Sequence, residues 1–555
     1  MKVLLTTCNT SYIHKNLALR WLYVCKDPQH TTILKEYTLK QQPDLMIEET
    51  CLLNPDVVAL SVYIWNSEVT QYWISTLKKI NPAIIIMVGG PEVTYKAEYW
   101  LDMGADIVFK GEGEQIFWQA INGNTSLPGI ATKNNVNTPV VITDLDWLSQ
   151  QGNPYFLDFD QSTQANQYLY LETSRGCPFQ CSYCLSAAEE GIRIFPLKYV
   201  LDQLDRIESS QIKQVKFLDR TFNLFAQRAL TIAQRCNDIQ RDITIQFECE
   251  VTALDQKLED FFIFQAKTNR FRFEIGVQSF HLPTLKAVKR HQDNHQVQRI
   301  IRQWSQAGHI VHADLIAGLP YEDYHQFLDS FLQLFITYPQ EIQVGVLKIL
   351  PGTPLHQQAK HLGYRYQQNP PYTIIDNPWI SQIDMSNIHF LALATDKTYN
   401  HQRCLTLYKE CILKDIPLEN RLVELGRRIS LFAHPYQNND IYYSVVDVFK
   451  DDFDTLLIQA MILQDVVENV RKKPSYLFDF NVSSHVRHKI MEDIYHRNQI
   501  STSDGKRKTW MHYGYINQAI VVQCILYNDT MMKRTYYTLE GEYIDESAAI
   551  SYRHQ

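Results

Sequence analysis

Short apolar runs alternate with helical spacings over the first 125 residues. Val3 to Thr6, Val57 to Tyr63, Ile84 to Val88 and Asp106 to Phe109 have the length and β-branched content of buried strands, and Asn16 to Cys25 has the apolar spacing of a helix. This alternation predicts a parallel, Rossmann-like α/β sheet over residues 1–125, with any ligand beyond the carboxyl ends of the strands. Residues 126–166 lose the pattern, and Asn134 to Pro139 and Gly152 to Tyr155 mark a linker expected to pack across the sheet. Strand and helix patterns resume over 167–370, at Tyr168–Leu171, Val215–Asp219, Ile243–Glu250, Phe273–Gln278, His312–Ala317 and Val346–Leu350, and predict a partial (β/α) barrel. Residues 371–555 change character. Helical spacing covers Phe390 to Cys411 and Phe453 to Val470, while Tyr536 to Leu539 and Tyr543 suit strands, so this region is α+β or mostly helical.

Composition narrows the picture. A chain of 555 residues is too long for one core, which agrees with several domains. A net charge of −8 argues against a general nucleic-acid or acidic-membrane binder. The start, Met1-Lys2-Val3-Leu4-Leu5, reads as a strand rather than a secretory leader, and no apolar run is long enough to span a membrane. Eleven cysteines scattered through a large chain indicate a reducing compartment, and the cytoplasm is expected.

Three of those cysteines carry the chemistry. Cys177, Cys181 and Cys184 follow the strand at Tyr168–Leu171 within Thr173-Ser-Arg-Gly-Cys-Pro-Phe-Gln-Cys-Ser-Tyr-Cys-Leu185. A structural zinc site wants four ligands, usually in two close pairs, and no fourth candidate lies nearby. Three thiolates on one loop suit a [4Fe–4S] cluster with one iron left open for a small molecule. The loop resembles the cysteine signature of radical S-adenosylmethionine (SAM) enzymes. Ahead of it, Gly89-Gly90-Pro91-Glu92 and Gly111-Glu112-Gly113-Glu114 resemble the cobalamin-binding domain of the cobalamin-dependent members of that superfamily. No Gly-x-Gly-x-x-Gly follows the first strand, so a dinucleotide site is disfavoured.

That resemblance implies three cofactors and assigns residues to them. Cys177, Cys181 and Cys184 would hold the cluster. Ser61, Gly89 and Gly90 match places that line the nucleotide tail of cobalamin. The family's histidine pattern after strand one is absent, so base-off cobalamin without a His14 ligand is expected. The backbone at Tyr183 would lie beside adenine, and Glu248 matches an acidic position that meets SAM. The later strands, with Gln278 and Ser279 in one and Asp314 and Gly318 in the next, resemble the oxygen-independent coproporphyrinogen oxidase branch. There Gln278, Arg290 and Asp314 would hold the ribose and carboxylate of SAM, as hydroxyl acceptors and a planar fork can. Asp219 is open to two readings, a partner for the methionine amino group, or a helix-capping or core-edge residue. Alternation puts Glu248 and Glu250 on one side of their strand.

The implied activity is reductive cleavage of SAM, with methyl transfer by cobalamin to an unactivated carbon. A cobalamin-dependent rearrangement or cyclisation, and a non-catalytic iron–sulfur redox or sensor protein, are the alternatives. An external electron donor such as flavodoxin or ferredoxin is expected, with a small-molecule or peptide substrate whose identity the residues leave open. Residues 371–555 carry no chemical motif. Their aromatics build a core, or the region closes the barrel mouth and selects the substrate.

Overall fold

A computed structural model describes residues 1–188, 191–433, 437–469, 482–497, 508–516, 519–528 and 531–544. The chain divides into two compact units, one of residues 1–339 and 345–382, the other of 340–344 and 383–555.

The first unit opens with a sheet in the order β2-β1-β3-β4-β5-β6. Its strands are β1 (Lys2–Asn9), β2 (Thr31–Thr38), β3 (Val57–Ser61), β4 (Ile85–Gly89), β5 (Ile107–Phe109) and β6 (Ile130–Ala131). All pair in parallel except β6, which runs antiparallel to β5. Alternate residues feed two cores. Leu4, Val58, Leu60, Ile86 and Val88 enter one, and Val3, Leu5, Val57, Ala59 and Met87 enter the other. Burial on both faces is what near-continuous apolar strands require.

The stretch 126–166 supplies β6 to this sheet. The linker's Asp160 receives the buried guanidinium of Arg20 and lies 3.2 Å from the Lys15 ammonium. Arg20 also meets Glu36 at 3.0 Å.

The second sheet aligns β7 (Leu169–Leu171), β10 (Gln214–Phe217), β11 (Thr244–Cys249), β12 (Phe271–Gln278) and β13 (Ile310–Ala317), all parallel and in that order. Burial alternates along β12 and β13. Phe247, Phe271 and Phe273 face outward with Phe262 and Trp304, sealing helices Gln256–Phe264 and Asn294–Gln306 against the sheet. The inward face is polar. Between β7 and β10 a short antiparallel ladder joins β8 (Ser174–Gly176) to β9 (Ile192–Ile194).

The second unit is α+β. Helices Leu405–Leu413, Leu418–Ser430, Asn438–Phe449 and Thr455–Asn469 precede an antiparallel sheet of Lys508–Ile516, Ala519–Asn528, Met531–Tyr537 and Tyr543–Ile544. The single helix expected over Phe390 to Cys411 is interrupted. A π turn at Thr395–Tyr399 and a left-handed Gln402 separate two helices. Val470, at the end of the second expected helix, lies outside the described residues. Among the described residues no helix is long and apolar enough to cross a membrane.

Candidate cofactor site

The cysteine segment leaves β8 directly, and its approach is braced from β10. Asp219, fully buried just past β10, accepts from the Thr173 N–H at 2.9 Å, the Thr173 hydroxyl at 2.5 Å and the Ser174 hydroxyl at 2.6 Å. Burial pushes the Asp219 carboxyl up, and these donors pull against it. With both oxygens occupied, Asp219 takes the core-edge role of its two readings. Gly176, at φ +89°, sits so close to the Gly191 carbonyl that any Cβ would collide with it, which ties the base of the ladder together.

All three cysteines are free thiols, Cys181 buried and the other two partly exposed. Cys184 N–H donates to the Cys181 carbonyl at 3.0 Å, closing a turn, and Cys177 Sγ lies 3.6 Å from the Thr221 hydroxyl. Among the described residues no three His, Cys, Asp or Glu side chains converge as ligands of one metal ion would. A cubane cluster makes a different demand, because each thiolate binds a separate iron corner. Burial pushes the Cys181 thiol up, while neighbouring Arg290 and Tyr183 pull it down. A cation and a hydroxyl beside the buried thiol oppose that rise, and three cysteines on one short loop are a donor set that fits a cluster.

Arg290 links this segment to the barrel. Its Nη2 donates to Glu250 Oε2 at 2.7 Å and to the Gly276 carbonyl, and its Nε lies 3.3 Å from Gln292 Oε1. Burial lowers the Arg290 guanidinium's affinity for its proton, but Glu250 and the Tyr183 and Cys181 side chains outweigh that. Tyr183 is buried enough for its phenol to be pushed far up. Glu250 lies beyond the end of β11 and caps the turn at Thr252, 3.1 Å from its hydroxyl. Glu248 instead stays on the inward face, 3.8 Å from Arg220. The two carboxylates expected on one side thus serve different places, because the strand ends at Cys249.

On the inward face, register sets Glu248 beside Glu274 and Glu274 beside His312, with Gly276 beside Asp314 one step higher. Asp314 Oδ1 meets His312 Nε2 at 3.1 Å. Burial, with Glu274 and Asp314 adding repulsion against Arg220, pushes the Glu248 carboxyl up to about 7.

Gln278 ends β12 in a left-handed conformation, φ +66°, after a register shift. A glutamine there is uncommon and strained. Its side chain folds over Gly276, where a Cβ would clash with its amide nitrogen, and its buried carbonyl oxygen has no partner. An orphaned acceptor of this kind suits a ligand carrying hydroxyls. Neighbouring Ser279 is fully buried, and its hydroxyl donates to Glu322 at 2.5 Å, so its side chain braces the turn rather than facing a ligand. Gly318, at φ +87°, follows β13, and its carbonyl accepts from Tyr364 at 3.0 Å and Asn377 at 2.9 Å.

At the carboxyl edge of the first sheet, Ser61 pairs in register with Gly89. The Ser61 carbonyl accepts from Thr7 at 2.7 Å and Asn66 at 3.1 Å, while Asn16 reaches its hydroxyl at 3.3 Å and the Tyr63 hydroxyl at 3.2 Å. Gly90, at φ +112°, leaves no room for a side chain, since a Cβ would sit 2.5 Å from the Val62 carbonyl. Open backbone at Gly113 and the stacked Tyr63–Trp65 pair, with Trp65 exposed, complete an edge suited to a large flat ligand. His14 Nδ1 lies 2.5 Å from the Tyr170 hydroxyl, and burial followed by Lys216 lowers its pKa. That imidazole nitrogen is engaged by the barrel.

The edge of the first sheet and the cysteine segment meet through Arg175, which the sequence did not single out. Its guanidinium lies 3.0 Å from Glu112, 2.9 Å from Glu114 and 2.9 Å from Glu172. Buried in this way, it joins the Gly111–Glu114 loop to the strand that begins the cysteine segment.

Comparison with known families now bears on the chain. The family described as B12 binding domain matches residues 10–121, and the radical SAM superfamily matches residues 171–334. The chain is 24% identical over 353 residues to the cobalamin-dependent radical SAM methyltransferase TokK of Streptomyces tokunonensis, covering 59% of this chain and 52% of that protein. It is 25% identical over 315 residues to the anaerobic magnesium-protoporphyrin IX monomethyl ester cyclase of Rubrivivax gelatinosus, covering 50% and 54%. The chain thus spans about half the length of these curated relatives. Among solved structures, the cobalamin-dependent SAM radical enzyme OxsB with aqua-cobalamin bound superposes with a TM-score of 0.59 at 14% identity, covering 84% of this chain and 81% of that one. The radical SAM methyltransferase TsrM of Kitasatospora setae, solved with cobalamin and a [4Fe–4S] cluster bound, superposes with a TM-score of 0.55 at 15% identity, covering 67% of this chain and 82% of that one.

Proposed function

We propose that the protein is a cobalamin-dependent radical SAM methyltransferase acting on an unactivated carbon. The observation that carries the reading is Arg175, because one buried guanidinium binds the corrinoid-side loop and the start of the cysteine segment together. When bound, the reduced cluster supplies an electron that breaks a carbon–sulfur bond of SAM, and cobalamin supplies a methyl carrier.

The chain's own residues hold and shield these groups. Cys177, Cys181 and Cys184 would ligate the cluster, with Arg290 and Tyr183 beside Cys181 opposing the upward push of burial on its thiol. The orphaned Gln278 carbonyl accepts from a ribose hydroxyl, and Asp314 on the adjacent strand is the second acceptor. Arg290, already engaged with Glu250, Gly276 and Gln292, would offer its guanidinium to the SAM carboxylate. Glu248 lies on the same inward face, where a cationic group would draw its carboxyl back to the ionised form. Ser61, Gly89 and Gly90 would line the corrinoid tail, while His14 is held through Nδ1 by Tyr170. An external one-electron donor of the flavodoxin or ferredoxin kind supplies the cluster.

The test is anaerobic incubation of the reconstituted, reduced protein with methyl-labelled SAM. Formation of 5′-deoxyadenosine and transfer of label into a product are expected. No 5′-deoxyadenosine at all would leave only a redox or sensor role. The similarity to the ester cyclase supports a second reading, rearrangement or ring closure without methyl transfer, which predicts 5′-deoxyadenosine with no label moved.

A further inference from the structure

The carboxylate of Glu112 grips both strands that flank the cysteine segment. Its Oε1 accepts from Arg193 Nη2 at 2.6 Å, and its Oε2 accepts from Arg193 Nη1 and Arg175 Nη1, each at 3.0 Å. Arg175 lies on β8 and Arg193 on β9, directly paired across the ladder. The Thr143 N–H completes the set at 2.8 Å. Glu114 lies in the same loop, with one oxygen on Arg175 and the other 3.0 Å from the Thr143 hydroxyl. Arg175 is also held from its own strand end by Glu172, whose Oε2 accepts from Trp21 at 3.1 Å.

Three carboxylates and two guanidinia are largely removed from water here. Such a network is a weak source of net stability, because desolvation offsets most of the attraction. What it does supply is a defined position, since bidentate pairs tolerate few alternative geometries. The loop that carries Glu112 is itself fixed on one side. Gly111, at φ +96°, presses against the Val141 backbone. On its other side Gly113 leaves backbone open at the ligand edge of the sheet.

We propose that Glu112 is a positioning residue that couples the two cofactor sites, so that filling one tightens the other. The inference rests on the reading that the chain binds both corrinoid and cluster, and adds a thermodynamic link between them. Cluster ligation orders the cysteine segment. Its two stems then hold Glu112, and the Gly111–Glu114 loop loses freedom that corrinoid would otherwise have to remove. A second ligand that finds its loop already ordered binds more tightly, and the effect is reciprocal. Glu112 reaches neither cofactor in this scheme and acts through Arg175 and Arg193.

The experiment measures hydroxocobalamin binding by absorbance to the full chain, iron-free and after cluster reconstitution. Wild-type protein is expected to bind about tenfold more tightly when the cluster is present, a size common for coupled sites. Glu112→Gln should bring that ratio to about one while retaining the cluster's electron paramagnetic resonance signal after reduction. Arg193→Gln, which removes the β9 grip on Glu112 together with a 2.8 Å bond to the Thr143 carbonyl, should lower the ratio in the same direction and decides the matter if Glu112→Gln does not fold. A wild-type ratio near one, or variants that melt earlier yet keep the wild-type ratio, would overturn the coupling and leave the cofactor reading intact. Failure of hydroxocobalamin to bind either form would instead overturn the cofactor reading, and the coupling with it.

Discussion

The Ser279 hydroxyl lies 2.5 Å from Glu322 Oε1, and both side chains are sealed from water. Ser330 donates to the same oxygen at 3.0 Å, while the backbone N–H groups of Phe280 and His281 are held by the Ser330 and Ser279 hydroxyls. This cluster fixes the turn that follows Gln278. Glu322→Ala leaves both hydroxyls short of a partner and should cost about 2 kcal/mol in denaturant unfolding. SAM binding, followed by calorimetry, should weaken in the same variant, because the left-handed Gln278 loses its support.

Glu322 and Glu248 also set a pH dependence. Burial pushes each carboxyl up to about 7, with the Ser279 and Ser330 hydroxyls opposing it at Glu322 and Arg220 opposing it at Glu248. A folded-state value above the ordinary one, 4.5, means the folded chain holds the proton more tightly than the unfolded chain. Their stabilising contribution is therefore complete below that ordinary value and is lost as pH rises through the folded-state value. Thermal melting of the cofactor-free protein should show this loss. Glu322→Gln and Glu248→Gln should each flatten the profile in that window, and the double variant should flatten it most.

Asp219→Ala removes one acceptor group from three donors at Thr173 and Ser174. With the approach to Cys177 unbraced, iron retained after gel filtration should fall at least about twofold, and stability should drop by about 3 kcal/mol. Asp219→Asn keeps one acceptor oxygen and should recover part of both losses. Equal iron retention in wild type and Asp219→Ala would show that the brace is dispensable for the cluster.

Gly90→Ala tests the edge of the first sheet. A methyl group 2.5 Å from the Val62 carbonyl, at a backbone angle that L residues avoid, should lower stability by about 2 kcal/mol. Corrinoid uptake should fall with it, whereas the cluster absorbance after reconstitution should remain.

The legible parts of the chain were those with local periodicity or compact spacing. β3, β4 and β11 to β13 are apolar on at least one face, and the cysteine spacing is contained in eight residues. β2 was not legible, because as an edge strand it is half exposed and carries Lys35 and Glu36 within its span. Asp219 could be resolved only by its neighbours, since the donors that occupy it lie 45 and 46 residues earlier. Arg175 stood inside the recognised motif, yet its meaning depends on carboxylates brought from the other domain. Glu250 looked equivalent to Glu248 by alternation, and the end of β11 broke that equivalence.

The salt links from Lys15 and Arg20 to Asp160 bear on how such proteins can be recombined. The two recognisable families end at residue 121 and begin again at residue 171, which invites treatment of the intervening stretch as replaceable. A chimera joining residues 1–125 to a foreign barrel would leave two buried cations facing Glu36 alone. It would also strip β6 from the sheet edge. The heritable module is therefore larger than either family, and successful exchanges should carry residues 126–166 with the first domain.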